Sequence, residues 1–164
     1  MSGAPEGLIP AIVDTREQLP YELNNSRFSI TRAALPAGDY SLVGYEVRCA
    51  IERKSLADFL GSITAGRERF HRELERLRSY DLAALVIEAS WEDIELGNYP
   101  LVHGRPCSAV HPNAVAGTLV SIHARYCPVF CAGDRLGAQR FVERVLRRFW
   151  LDSQSARAVK EGAA

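Results

Sequence analysis

Two carboxylates and one ammonium group stand close enough in this sequence to share a reaction centre: Asp39, Glu52 and Lys54. Glu52 and Lys54 are two residues apart in an alternating stretch, and on a β-strand that spacing puts both side chains on one face. Asp39 follows Gly38 at the opening of the preceding segment, so a hairpin returns it to the same neighbourhood. Oxygen ligands of this kind select a hard divalent cation, magnesium or manganese, which can hold a phosphodiester and polarise water. A lysine beside it can orient the attacking water or offset developing negative charge. Lys54 stands out for a second reason, because it and Lys160 are the only lysines in a chain whose other strongly basic residues are all arginine. Singly, an acid near a turn or a Glu-x-Lys pair on a solvated strand is ordinary surface chemistry. The combination is what points to a site.

These residues need elements to hold them. After a flexible start containing Pro5 and Gly7, Leu8 to Val13 read as a buried strand closed by Asp14. Gln18 to Ser26 read as loop and Arg27 to Leu35 as a second strand, before Pro36, Ala37 and Gly38 deliver the chain to Asp39. A hairpin follows, with Tyr40 to Val43 as its first arm and Gly44 in its turn. In its second arm Val47, Cys49 and Ile51 face one way and Glu46, Arg48, Glu52 and Lys54 the other, giving one apolar and one polar face.

Ser55 starts a helix with Asp58 three positions on, and Leu56, Phe59, Leu60 and Ile63 form its apolar stripe. Gly66 separates it from a second helix, Arg67 to about Tyr80, with Phe70, Leu74 and Leu77 inward. Leu82 to Ile87 form a strand ending at Glu88, and a loop rich in Gly, Pro and His runs to about His111. Pro112 opens a third helix carrying Val115, Leu119 and Ile122, Pro128 to Cys131 form another strand, and Asp134 caps a final helix reaching Trp150. The strands come first as an antiparallel group and then alternate with helices, which predicts an α/β domain with a mixed sheet flanked by helices.

At this point the sequence resembles a family. Gly38-Asp39, then Glu52-Arg53-Lys54, then Asp58 after three residues is similar to the signature of the XPF-type structure-specific endonucleases. The resemblance extends back through Val13-Asp14-Thr15-Arg16-Glu17 and forward through Ser62-Ile63, Gly66-Arg67 and Ile87-Glu88, covering residues 10 to 90. It implies a restriction-endonuclease-like fold, magnesium or manganese as cofactor with no organic one, and cleavage of branched, flapped or other irregular DNA to leave 5'-phosphate and 3'-hydroxyl ends. By position it makes Asp39 and Glu52 metal ligands, Lys54 the group handling the water, and Asp14 and Glu17 acids near the metal, one of them ligating directly or through water. Arg16 and Arg53 match basic residues needed for activity; surface ion pairing is the plainer reading of both. Asp58 is either catalytic or the partner of Ser55 in a capping box. Glu88 is a distal acid or a strand end. Arg16, Arg67, Arg69 and Arg72 are the residues expected to meet DNA phosphates, with Arg76 and Arg78 offered by the same helix, although Glu68, Glu73 and Glu75 interleave with the helical arginines.

Two departures accompany the resemblance. His71 stands where the family commonly shows glutamine, and a tandem helix-hairpin-helix module that grips DNA in many members is not expected in these residues. A DNA-binding partner without catalysis and a general duplex-end nuclease of the same fold are the alternatives; retention of Asp14, Asp39, Glu52 and Lys54 favours the enzyme.

Composition sets the outer limits. The chain has 164 residues, 47% of them hydrophobic, the size of one domain that buries roughly 70% of its unfolded surface. We read residues 1–151 as the nuclease domain and 152–164 as a flexible tail. Formal net charge is zero, so attraction to a polyanion must come from local patches. No apolar run reaches the roughly 18 residues of a membrane span and the start lacks a signal-peptide pattern, so no membrane is expected, and an intracellular, cytoplasmic or nucleoid-associated place is. Cys49, Cys107, Cys127 and Cys131 lack finger-like pairing and read as reduced thiols. Phe141, Val145, Leu146, Phe149 and Trp150 supply more apolar surface than one stripe needs, and with the family's habit of pairing they suggest a homodimer through the nuclease domain.

Overall fold

In the computed structural model the first strand, β1 (Ile9–Asp14), is apolar and buried along nearly its whole length, so it lies inside the protein and carries Asp14 to its end. Residues 7–162 are described, with side chains as far as Val159; the segment before Gly7, expected to be flexible, lies outside them. The order continues β2 (Phe28–Ala33), β3 (Tyr40–Leu42), β4 (Cys49–Lys54), α1 (Leu56–Ile63), α2 (Arg67–Leu77) and β5 (Leu82–Ile87). Then come α3 (Trp91–Leu96), the two-residue strands β6 (Leu101–Val102) and β7 (Arg105–Pro106), α4 (Pro112–Arg125), β8 (Val129–Cys131) and α5 (Arg135–Gly162).

One mixed sheet runs β2-β1-β3-β4-β5-β8, with β3 antiparallel to both β1 and β4, and β4, β5 and β8 parallel. Helices cover both faces, as the α/β reading predicts. On one side Ala50, Leu85 and Ile87 meet Leu60 of α1, Leu74 of α2 and Leu119 of α4. On the other, Val13, Leu42, Cys49 and Ile51 meet Ala138, Val142 and Leu146 of α5. Each fully buried leucine or isoleucine here stabilises the fold by about 2 kcal/mol, so the central strands cannot shift without exposing both cores.

Four details differ from the expectation. Strand β2 pairs parallel with β1, in register Ile9 to Phe28, instead of antiparallel. The intervening loop buries Tyr21 and Leu23 over the sheet and so returns the chain to the starting end before β2 begins. The second hairpin arm starts at Cys49, not Val47: the amides of Arg48 and Cys49 both bond the Tyr45 carbonyl, a helical turn that exposes Val47 and buries Tyr45. The long loop before His111 contains α3, whose Ser90 caps the Asp93 amide at 3.0 Å, and the β6–β7 hairpin. Finally, α5 continues without a break to Gly162 where a loose tail is predicted beyond Asp152. No proline or glycine interrupts 152–161, and Arg157 lies over the Tyr45 ring, 5.5 Å from its centroid.

The apolar surplus of α5 is largely used within the chain. Leu146 is fully buried, Phe149 and Trp150 meet Tyr45 edge-on, and Phe141 stacks on Phe130 with 3.9 Å between ring centroids.

Candidate active site

Strand β4 is buried on both faces, and its alternation sends consecutive charged side chains in opposite directions. Glu52 and Lys54 share the face of Ala50, toward α1 and α2; Arg53 shares the face of Cys49 and Ile51. The polar face expected to be solvated is instead enclosed, with Glu52 only 4% exposed. Lys54 donates to Glu52 Oε1 at 2.7 Å, and its ammonium lies 4.9 Å from the centroid of the Phe70 ring on α2. The strand and the helix thus fix both ends of one ion pair.

Asp39 reaches the pair from the opening of the hairpin. Its amide donates to the Ile51 carbonyl and its own carbonyl accepts from the Asp14 amide, both at 2.8 Å, so it is pinned between β1 and β4. Gly38 makes this possible: its φ is +74°, and a Cβ there would meet the Ile51 carbonyl oxygen at 3.1 Å and the Ala50 Cβ at 3.2 Å. Gly38→Ala is therefore expected to lower stability by about 1–2 kcal/mol and to displace Asp39. Urea denaturation checks this, and an unchanged midpoint would contradict it.

The four acids expected near a metal divide into two kinds. Asp14 receives both arms of the Arg16 guanidinium, at 2.8 and 2.9 Å, and the amides of Arg16 and Leu35 at 2.7 and 2.6 Å. Burial would raise its carboxyl, but the Arg16 and Leu35 bonds outweigh it and hold it at about 2. Glu17 accepts from the Leu19 amide at 2.8 Å and faces the Arg53 guanidinium at 3.3 Å. These two acids already have partners. Asp39 accepts the Arg53 amide at 2.8 Å through Oδ2 alone, and Glu52 Oε2 is buried with no hydrogen-bond partner.

A cation fits that pair of acids. Burial, then the charge of Glu17, pushes the Asp39 carboxyl up to about 7 against the amide bond that lowers it. Burial and the charge of Asp39 raise Glu52 well above the usual carboxylate range. Burial would loosen the Lys54 proton, but the Glu52 charge and hydrogen bond prevail and tighten it. All three groups hold protons more firmly than in water, the two acids first because they are buried and then because they face other acids. Among the described residues no three acid, histidine or cysteine side chains form a ready-made ligand set. Magnesium is commonly bound by one or two carboxylates with water and substrate phosphates completing its shell, so Asp39 and Glu52 meet its need.

These residues open into a cleft of about 940 Å³ whose wall also includes Arg16, Gly61, Gly66, Arg69, Glu73 and Arg76. The fold, the GD and ERK residues and the cleft can be compared with known proteins. The family model described as the ERCC4 domain matches residues 13–144. The chain belongs to the ERCC4 domain family. Among solved structures, XPF from Aeropyrum pernix matches with a TM-score of 0.63 at 22% identity, over 93% of this chain and 69% of that one. XPF from Aeropyrum pernix in complex with DNA matches at 0.61 and 21%, over 88% and 66%. The ERCC4 domain described here spans about two thirds of those chains. No curated protein matches the sequence. The restriction-endonuclease-like fold of an XPF-type nuclease domain, implied by the signature, is the fold observed.

Within this ERCC4 domain the remaining predicted residues fall into place unevenly. Arg16 is held by Asp14 and the Leu35 carbonyl yet keeps its side chain 69% exposed at the cleft. Arg53 borders the cleft, but its guanidinium turns to the side of Cys49 and Ile51, bonded to Glu88 at 2.8 and 3.2 Å and lying over the Tyr21 ring. Glu88 also accepts from Tyr21 and Arg135, at 2.8 and 3.2 Å, so it is the hub of a buried network and not a bare strand end. Asp58 lines the cleft and completes the capping box: Ser55 accepts its amide at 3.1 Å and donates to its carboxylate at 2.7 Å. Of the α2 arginines, Arg69 and Arg76 line the cleft, whereas Arg67 and Arg72 are exposed outside it. The helical period marks this stripe: 69, 73 and 76 flank the buried 70, 74 and 77, one position round the helix.

Proposed function

We propose that this ERCC4 domain hydrolyses the phosphodiester backbone of DNA with magnesium or manganese held by Asp39 and Glu52, and that its substrates are branched, flapped or otherwise irregular. The observation that carries the reading is the buried, unpartnered Glu52 Oε2 beside Asp39 and Lys54. When bound, the cation would supply Lewis acidity and a site for a phosphate oxygen. The chain supplies the rest. Lys54, whose proton is held firmly, serves as a fixed positive charge and hydrogen-bond donor to the phosphate or the water, not as a base. Water adds to phosphorus in line as the bond to the 3'-oxygen breaks, and the extra negative charge develops facing Lys54. Arg16, Arg69 and Arg76 border the cleft where the flanking phosphates would run.

Gly61 lines the cleft with nothing within 4 Å of where a side chain would start, which leaves room for a backbone to approach. Work on DNA implies an intracellular setting, and none of the described helices is long and apolar enough to cross a membrane. Pairing of two copies through the nuclease domain belongs to the same reading, supported by Phe130 and Leu136, 40% and 52% exposed near the start of α5. A nicking panel of duplex, flap and fork DNA with magnesium tests the function. Cleavage that needs the cation and favours the forked or flapped substrates is expected; no cleavage of any of them would overturn it.

A further inference from the structure

Glu73 shares the cleft-facing stripe of α2 with Arg69 and Arg76, four residues before and three after it, the spacings at which helical side chains meet. Yet none of the hydrogen bonds and ion pairs of the described residues involves Glu73. The next acid on the helix shows that arginine and histidine partners can be reached there: Glu75 lies 4.0 Å from both His71 and Arg78. Glu73, half-buried, points instead into the cleft, and its charge acts on Asp39, Glu52 and Lys54 from the α2 side. Three acids thus face one another, and the innermost has a buried oxygen, Glu52 Oε2, with nothing to bond. The Lys54 ammonium bonded to Glu52 offsets one of these charges, and the others repel until a further cation lies among them.

We propose that Glu73 is the third acid of the cation site, brought by α2 from across the cleft to accept hydrogen bonds from the water shell of the cation that Asp39 and Glu52 hold. The inference rests on that assignment of Asp39 and Glu52. An outer-shell role follows from the placement: magnesium gives up its waters reluctantly, and no three of these side chains are drawn together for direct ligation. It also explains why an acid interrupts the arginines of a helix that borders a polyanion's path. Arg69 and Arg76 meet phosphates on either side, and Glu73 marks where the cation sits between them.

Calorimetric titration of the full chain with manganese, without DNA, tests this on four proteins: wild type, Asp39→Asn, Glu73→Gln, and Glu68→Gln as an exposed acid of the same helix outside the cleft. Wild type and Glu68→Gln are expected to bind alike, Asp39→Asn to lose binding, and Glu73→Gln to bind about tenfold more weakly, the range set by outer-shell partners. Without cation, Glu73→Gln should melt no lower than wild type, because removing its charge relieves repulsion. Wild-type affinity in Glu73→Gln, with binding lost in Asp39→Asn, would overturn the role of Glu73 and leave the site standing. Equal weakening in Glu68→Gln, or a lower melting temperature of cation-free Glu73→Gln, would also overturn it, by showing a general charge effect or a structural acid. No manganese uptake by wild type would remove the site and this inference together.

Discussion

Asp39→Asn is expected to slow DNA nicking by about a thousandfold while leaving the fold intact. Asparagine keeps an oxygen to accept the Arg53 amide, so the backbone contact at 2.8 Å survives and only the charge is lost. Stability should move the other way. In the folded chain the Asp39 carboxyl sits at about 7, against an ordinary value of 3.8. Between those pH values the unfolded chain has released the proton and the folded chain has kept it, so stability falls as pH rises through the interval. The asparagine variant lacks this loss. It should melt above the wild type in neutral buffer without cation, and the difference should close toward pH about 4. Asp14 contributes with the opposite sign: depressed to about 2, it adds stability that is present above its ordinary 3.8 and is lost as pH falls through about 2. Because a cation competes with the protons of Asp39 and Glu52, wild-type affinity for manganese should increase as pH rises through about 7. Gel assays of nicking and melting curves across this pH range check the set; a variant that cuts at the wild-type rate would remove Asp39 from the site.

Arg53→Met is expected to destabilise the domain by about 3 kcal/mol, or to lower the melting temperature by about 10 °C. The side chains of Arg53, Glu17 and Glu88 are 8%, 6% and 9% exposed, so removing the guanidinium leaves two enclosed carboxylates short of their cation. Glu88 retains Tyr21 and Arg135, which holds the loss below the upper end for a broken buried pair. Arg53→Lys should fall between, since an ammonium keeps the charge but not the fork that spans Glu88 and Glu17. Denaturation midpoints measure this directly. A methionine variant as stable as wild type but unable to cut would mean that Arg53, which also borders the cleft, acts on the substrate and not through the fold.

How much of this the sequence showed depended on the range of the interaction involved. The period of two in Glu52-x-Lys54 placed both side chains on one face, and Gly38 before Asp39 marked a turn that only a positive φ could make. Those are local rules, and they suffice to bring Asp39, Glu52 and Lys54 into one cleft. The mixed sheet followed from the alternation of elements, but the parallel pairing of β2 with β1 depended on how Tyr21 and Leu23 pack, which no local pattern states. The Ser90 and Asp93 cap of α3 was present in the sequence as the same signal read at Ser55 and Asp58, masked by the glycines, prolines and histidines around it. Arg53 was the harder case. Its position beside Glu52 suggested a shared task, yet the same alternation that joins Glu52 to Lys54 sends Arg53 to the other side, where Glu88 and Tyr21 wait from distant segments. Likewise the choice among the α2 arginines needed the cleft itself, which keeps Arg69 and Arg76 and leaves out Arg67, Arg72 and Arg78.

A crystal of the full chain soaked in manganese, with data collected at the manganese absorption edge, would locate the cation by its anomalous scattering. We expect one strong peak in the cleft, within ligand distance of Asp39 and of the buried Glu52 Oε2, on the Lys54 side of β4. No peak there at millimolar manganese, or a peak held by other residues away from these two acids, would contradict the assignment on which the proposed chemistry depends.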